Sequence, residues 1–162
     1  MKIAAAALLR AASLAVPATA HADCGDPGQD PCTGPVPTVD QVVAIMNELM
    51  EPDKPAATKG DIVSPGFAPD EAQTVDDHLQ RMNNGTLPLN FIVTNIRPAP
   101  NNLAGATVAT TGPGGIHSWS QPGTIVLVDD SGRWRLTHHS AMSALDAYWY
   151  NAHRSVVVPH GV

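Results

Sequence analysis

Fifteen prolines and thirteen glycines punctuate this chain of 162 residues, and where they fall decides which stretches can fold into regular structure. Proline lacks a backbone N–H and locks φ, so it ends helices and is kept out of central strands. Pro27, Pro31, Pro35 and Pro37 crowd the segment His21–Pro37, which reads as an extended, mobile arm. Pro52, Pro55, Gly60, Pro65, Gly66 and Pro69 make a second punctuated stretch. The uninterrupted windows between them must supply the domain. At 43% hydrophobic residues, the chain can build one packed core, and its length fits one domain.

Before the arm lies a different composition. Lys2 precedes an Ala/Leu-rich run to Ala20, followed by small residues. This is the form of a secretory signal peptide over residues 1–22, cut before His21 or before Asp23. Arg10 sits awkwardly in the run; one reading puts the basic start at Met1–Arg10 and the apolar part at Ala11–Ala20. The run is too short and interrupted for a permanent membrane span. Asp23 before Cys24 argues against lipid attachment. The expected location is secreted or extracellular, including association with the cell envelope, with no membrane contact once the leader is gone. Cys24 and Cys32 bracket a turn-rich loop, and in an oxidising compartment they are expected to form a disulfide. A metal held by Asp23, Asp26 and Asp30 is the competing reading, but calcium wants a longer ligand series with a bidentate Glu.

The windows then read in order. Thr38-Val39-Asp40-Gln41 has the form of a capping box, and Val39, Val42, Val43, Met46, Leu49 and Met50 recur at helical spacing until Pro52. Residues 53–69 read as loop with room for a helical turn; Gly60 there is expected to take a positive φ or to allow a close backbone approach. A second helix starts near Pro69, with Asp70 and Glu71 in its first turn, a stripe of Val75, Leu79 and Met82, and a stop at Asn84-Gly85. Leu89 to Arg97 alternates, with Leu89, Phe91 and Val93 on one face and Ile92 and Ile96 on the other, which predicts a strand partly covered on both sides. A weak strand, Gly105–Thr111, runs to the break at Gly112–Gly115. A strongly apolar strand follows over Thr124–Asp129. Asp130-Ser131-Gly132 connects it to Arg133–Thr137, with Trp134 and Leu136 inward. A third helix begins near Ser140 with Met142, Leu145 and Trp149 on one face.

The order ααββββα predicts an α+β domain over residues 38–151: a curved antiparallel sheet of about four strands with helices packed on it. The arm is 23–37 and the C-terminal tail 152–162.

No catalytic set emerges. A net charge of −6 and scattered Lys and Arg exclude a nucleic-acid partner. Of seven histidines, His138 and His139 are adjacent and diverge, and no three or four converge in the pattern zinc needs, so no metal or cofactor is expected. Asp77-His78 could be a general-base pair, yet adjacent helical residues do not face each other, and a structural hydrogen bond from His78 is the preferred reading. Lys59-Gly60-Asp61 and the Gly112 run lack the helix start a phosphate loop needs. Trp134, Tyr148, Trp149 and Tyr150 gather the aromatic content near the C-terminus. They either line a pocket between sheet and helix, together with Asp77 and His78, or pack the last helix onto the core. Asn84-Gly85-Thr86 fits a glycosylation sequon and equally a helix stop.

The stretch Leu87-Pro88-Leu89-Asn90-Phe91-Ile92-Val93-Thr94-Asn95-Ile96, with Lys59-Gly60, Asp77-His78, Trp134-x-Leu136 and Ser140-Ala141-Met142 in the same order, resembles the mycobacterial secreted low-molecular-weight protein antigens, the culture-filtrate T-cell antigen family. The likeness covers about Pro37 to Leu145. It implies an exported small protein of undefined biochemical activity, on a cone-like fold of the nuclear-transport-factor-like or cystatin-like kind, and it carries no catalytic residues across. The Cys24–Cys32 loop, Tyr148-Trp149-Tyr150 and the tail have no counterpart in it. The expected protein is a secreted, non-enzymatic, host-exposed monomer that acts through its surface on an unknown protein partner or binds a small apolar ligand. The alternatives are a ligand carrier or pocket enzyme on the same fold, and an interaction module working through the Pro-rich arm.

Overall fold

The computed structural model describes Cys24, residues 28–113 and residues 118–154, with backbone only for 118–122 and 151–154. The leader, most of the Cys24–Cys32 loop's first half, His21, His117, His160 and the last eight residues of the tail lie outside the described residues.

Thr38 begins helix α1 (Val39–Leu49) as its sequence requires: the Gln41 N–H donates to the Thr38 hydroxyl at 3.2 Å, and the Thr38 N–H donates to the Gln41 amide oxygen at 2.8 Å. Pro37, assigned above to a mobile arm, is fully buried. It precedes the cap and Val42, four past the cap, is buried too; these are the two positions that staple a helix entrance. The buried stripe is Val42, Ile45, Met46 and Leu49, while Val39 is 48% exposed. The stripe is therefore turned slightly from the expected one, because Val39 at the first turn faces solvent and Ile45 faces in.

A 3-10 segment, Ala56–Asp61, follows, then the two-residue strand β1 (Val63–Ser64). Gly60 is not among the positive-φ glycines of the described residues; it is instead the backbone that Gly66 approaches, where a Cβ on Gly66 would stand 3.4 Å from the Gly60 Cα. Helix α2 (Pro69–Met82) starts with Pro at its first position and with the Ala68 N–H donating to the Glu71 carboxylate at 2.8 Å. It buries Ala72, Val75, Leu79 and Met82, and Gly85 (φ 109°) ends it in the left-handed region.

Strand β2 (Asn90–Ala99) departs from the expected two-sided cover. Val93 is buried but Ile92 is 56% exposed. A bulge between Thr94 and Arg97, with Asn95 at φ 52°, then inserts a residue and turns Ile96 to the core side. Strict alternation put Ile92 and Ile96 on one face; the bulge separates them. Asn101 and Asn102 both take positive φ in the turn to β3 (Leu103–Thr111), the conformation that suits a tight hairpin. Strand β4 (Ser118–Asp130) starts earlier than its apolar run, because Ser118 and Trp119 pair with Thr111 and Thr110 of β3. Ser131 and Gly132 form the hairpin turn into β5 (Arg133–Thr137), where the Gly132 N–H donates to Asp129 Oδ1 at 2.7 Å.

The sheet order is β1-β5-β4-β3-β2. The fold is thus α+β as expected, with five strands rather than four, and mixed, since β1 pairs parallel with β5. One inner row crosses the whole sheet through the pairings Pro98–Ala104, Ala104–Leu127, Leu127–Leu136 and Leu136–Val63. Ala104, Leu127, Leu136 and Val63 in it are fully buried. Helix α1 packs against β2 and β5, and Ala104 and Ala106 of β3 are buried. Burying these side chains in one continuous cluster is the main stabilising contribution, at about 25 cal/mol per Å² of apolar surface.

Candidate functional site

Helix α3 (His138–Arg154) leaves β5 without a loop. The Ser140 N–H donates to Thr137 Oγ1 at 3.3 Å, so the last strand residue caps the helix. The Val126 N–H lies just past the point where β5 stops pairing with β4, and it donates to Ser140 Oγ at 2.8 Å. These two bonds set the phase of α3. Its buried face is Ala141, Ala144, Leu145 and Tyr148, with Met142 and Trp149 at the margin. That face sits one position round from the expected Met142–Leu145–Trp149 stripe, because the helix starts at His138 and is pinned by Ser140.

Small residues on α3 leave a cavity of about 120 Å³ between it, β3 and β4. Its floor is buried: Val108, Thr110, Ile125, Ser140, Ala144 and Tyr148. Its mouth is exposed and formed by Gly123, Thr124, Ser143 and Ala147. Thr110 Oγ1 donates to the Tyr148 hydroxyl at 3.3 Å. Burial raises the Tyr148 pKa, and the Thr110 hydrogen bond offsets this in part. Among the described residues, no ionisable group other than Tyr148 lines the space.

The structure separates the side chains expected around a pocket. Tyr148 is in the cavity floor. Trp134 is in the core on the inner face of β5. His78 and Trp149 meet at the seam of α2 and α3, their rings stacked at 3.9 Å between centroids and within 3° of parallel, with the Arg81 guanidinium 5.9 Å from the Trp149 ring. Asp77, beside His78 in sequence, is exposed. Tyr150 is 58% exposed.

Lys59 reads in sequence as a loop residue within the family motif, yet it has no exposed surface at all. Its ammonium donates to the backbone carbonyls of Leu49 (2.7 Å) and Glu51 (2.9 Å), capping the C-terminal end of α1. Burial pushes its pKa down to about 8, against the pull of the Asp76 and Glu51 carboxylates. A signal was present: α1 has no basic residue in its last turn, so its final carbonyls must find donors elsewhere. His138 was set aside as half of a diverging pair. Its Nε2 is 3.2 Å from Glu71 Oε1 and its Nδ1 is 3.4 Å from the Gly66 carbonyl, which ties the start of α3 to the start of α2; His139 is exposed. Cys24 and Cys32 are joined in a disulfide. Among the described residues no three His, Cys, Asp or Glu side chains converge as metal ligands, and no helix is long and apolar enough to cross a membrane.

The geometry defines a class: a small α+β domain whose five-stranded sheet carries its helices on one face, with the last helix roofing a hydroxyl-bearing cavity. Residues 35–150 match the family described as low molecular weight antigen MTB12, C-terminal domain, and the chain belongs to that family. It is 38% identical over 122 residues to the low molecular weight antigens MTB12 of Mycobacterium bovis and Mycobacterium tuberculosis, covering 73% of this chain and 70% of each relative. The homolog from Mycobacterium leprae is 36% identical over 121 residues, covering 74% of this chain and 71% of the relative. The segment Leu87–Phe91, which carried the resemblance, contributes to a second recess of about 390 Å³ beside Met50 and Glu51.

Proposed function

We propose that this chain is an exported, non-catalytic member of the antigen family, acting through its surface or by weak uptake of a small apolar molecule. The observation that carries the reading is how the buried polar side chains are used. Lys59 caps α1, Ser140 takes the Val126 N–H, and Thr110 donates to Tyr148. Each holds the fold together. Among the described residues, none is hydrogen-bonded to a general base as an activated nucleophile would be. The Cys24–Cys32 disulfide supports an oxidising, exported setting, as do the relatives' names as mycobacterial antigens.

The test has two parts. The protein recovered from culture fluid should begin at His21 or Asp23, with an intact mass that rises only when reduction precedes alkylation. Recovery solely from the cytosol with its leader intact would refute export. Turnover by the purified protein in a broad panel of hydrolase and isomerase substrates would refute the non-catalytic reading. A second reading, a carrier of small apolar ligands, is favoured by the cavity beneath α3. It differs in requiring saturable binding without turnover.

A further inference from the structure

We propose that the cavity between α3, β3 and β4 is a binding site for an uncharged, ring-sized or short-chain apolar molecule carrying one hydroxyl group, of the phenol or small-alcohol class. The inference deepens the small-ligand reading above and rests on it for its biological meaning. Three features define the ligand.

The first is size. A space of about 120 Å³ is close to that of a dry cavity known to hold benzene, about 150 Å³, and the mouth at Gly123, Thr124, Ser143 and Ala147 lets a substituent protrude. The second is charge. The described walls are mainly apolar and offer no counter-ion, so an anion or cation would lose its hydration without compensation from them. The third is the floor's hydroxyl cluster. Thr110 Oγ1 and the Tyr148 hydroxyl are 3.3 Å apart, longer than the usual O–H···O separation of about 2.7–2.8 Å. Such a pair can open to share a ligand hydroxyl at little loss. Ser140 lies in the same floor, and a hydroxyl that accepts from an N–H still carries a donor hydrogen. A ligand hydroxyl reaching these groups would exchange water contacts for protein ones, while its apolar body covers Val108, Ile125 and Ala144.

The test uses phenol and benzene as probes on the purified disulfide-bonded protein, followed by chemical shifts of the Ala144 and Ala147 methyl groups. Both should saturate, with phenol about five- to tenfold tighter, the worth of roughly one hydrogen bond. The double change Thr110→Val with Tyr148→Phe removes both hydroxyls together and should erase that preference while leaving benzene binding in place. Ala144→Leu fills the space and should abolish binding of both probes. Should that variant fail to fold, Ala147→Phe, at an exposed helix position, blocks the mouth instead. Absence of saturation, or binding unchanged by the filling and blocking variants, would overturn the site. Equal affinities for phenol and benzene would overturn the assigned ligand class. Failure here leaves the exported, non-catalytic reading standing, whereas turnover in the substrate panel would remove that reading and leave the site.

Discussion

The two ends of α1 and α3 solve the same problem in opposite ways. At the end of α1, carbonyls of Leu49 and Glu51 need donors, and a single long side chain, Lys59, reaches both and is itself fully buried. Under α3, the Val126 N–H and the Tyr148 hydroxyl also need partners, and short side chains, Ser140 and Thr110, supply them. Short hydroxyl residues satisfy the backbone but do not fill volume, so a cavity remains beside them. The lesson is that polar satisfaction and packing are separate demands. A lysine meets both at the cost of burying a charge; serine and threonine meet the first and leave room for a ligand.

The sharpest way to break this comparison is Lys59→Met. It removes the donors while keeping most of the volume, so two carbonyls lose their partners at about 1–3 kcal/mol each. Urea unfolding should show a loss of about 2–6 kcal/mol, and a loss below about 1 kcal/mol would mean that the cap is dispensable. The same variant exposes the titration. The folded pKa of Lys59 is about 8 and the unfolded value 10.5, so between these the unfolded chain binds more protons. The burial penalty is present in full below pH 8 and is relieved as pH rises towards 10.5. The stability gap between wild type and Lys59→Met should therefore widen with alkali over that window. A constant gap from pH 7 to pH 10.5 would show that the lysine does not lose its proton early.

At the other end, Ser140→Ala orphans one N–H at the sheet margin, near a cavity that water can enter. The expected loss is smaller, about 1–2 kcal/mol, and hydrogen exchange at the Val126 amide should accelerate more than at Leu127. Equal protection in the two proteins would count against the Ser140 bond. The smallest effect is expected outside both regions. Residues 28–31 and 33–36, which include the described part of the loop closed by the disulfide, are exposed. Changing Cys24 and Cys32 together to Ser should shift the domain's unfolding by under about 0.5 kcal/mol, as for other surface changes away from the core. A larger loss would mean that the clip braces the entry at Pro37.

Much of the architecture was legible because its signals are local. Thr38 and Gln41 act across one turn, Gly85 stops α2, Ser131-Gly132 makes the hairpin, and Trp134 and Leu136 alternate inward. The misreadings share a different cause. Strand β1 has two residues, too few to show a period, and exists only because Leu136 and Thr137 lie beside it. The bulge at Asn95 is a single inserted residue that changes the face of Ile96. The phase of α3 follows from a hydrogen bond to Val126, fourteen residues away in sequence. Tyr148 was legible as an aromatic near a pocket; Thr110 and Ser140, its partners in the floor, were not, since short hydroxyl residues give no signal of burial.

By itself, then, the sequence determined the start of α1, the start and stop of α2 and the turns of the two hairpins, because capping and turn chemistry act between residues within four positions of one another. It also held enough of a family motif to be placed. Only the tertiary structure decided that Lys59 would be buried, that His138 would meet Glu71 across two helices, and that small side chains would leave a cavity under α3. Those depend on which elements come to lie against each other, and the free energy of that choice resides in contacts between residues far apart in the chain.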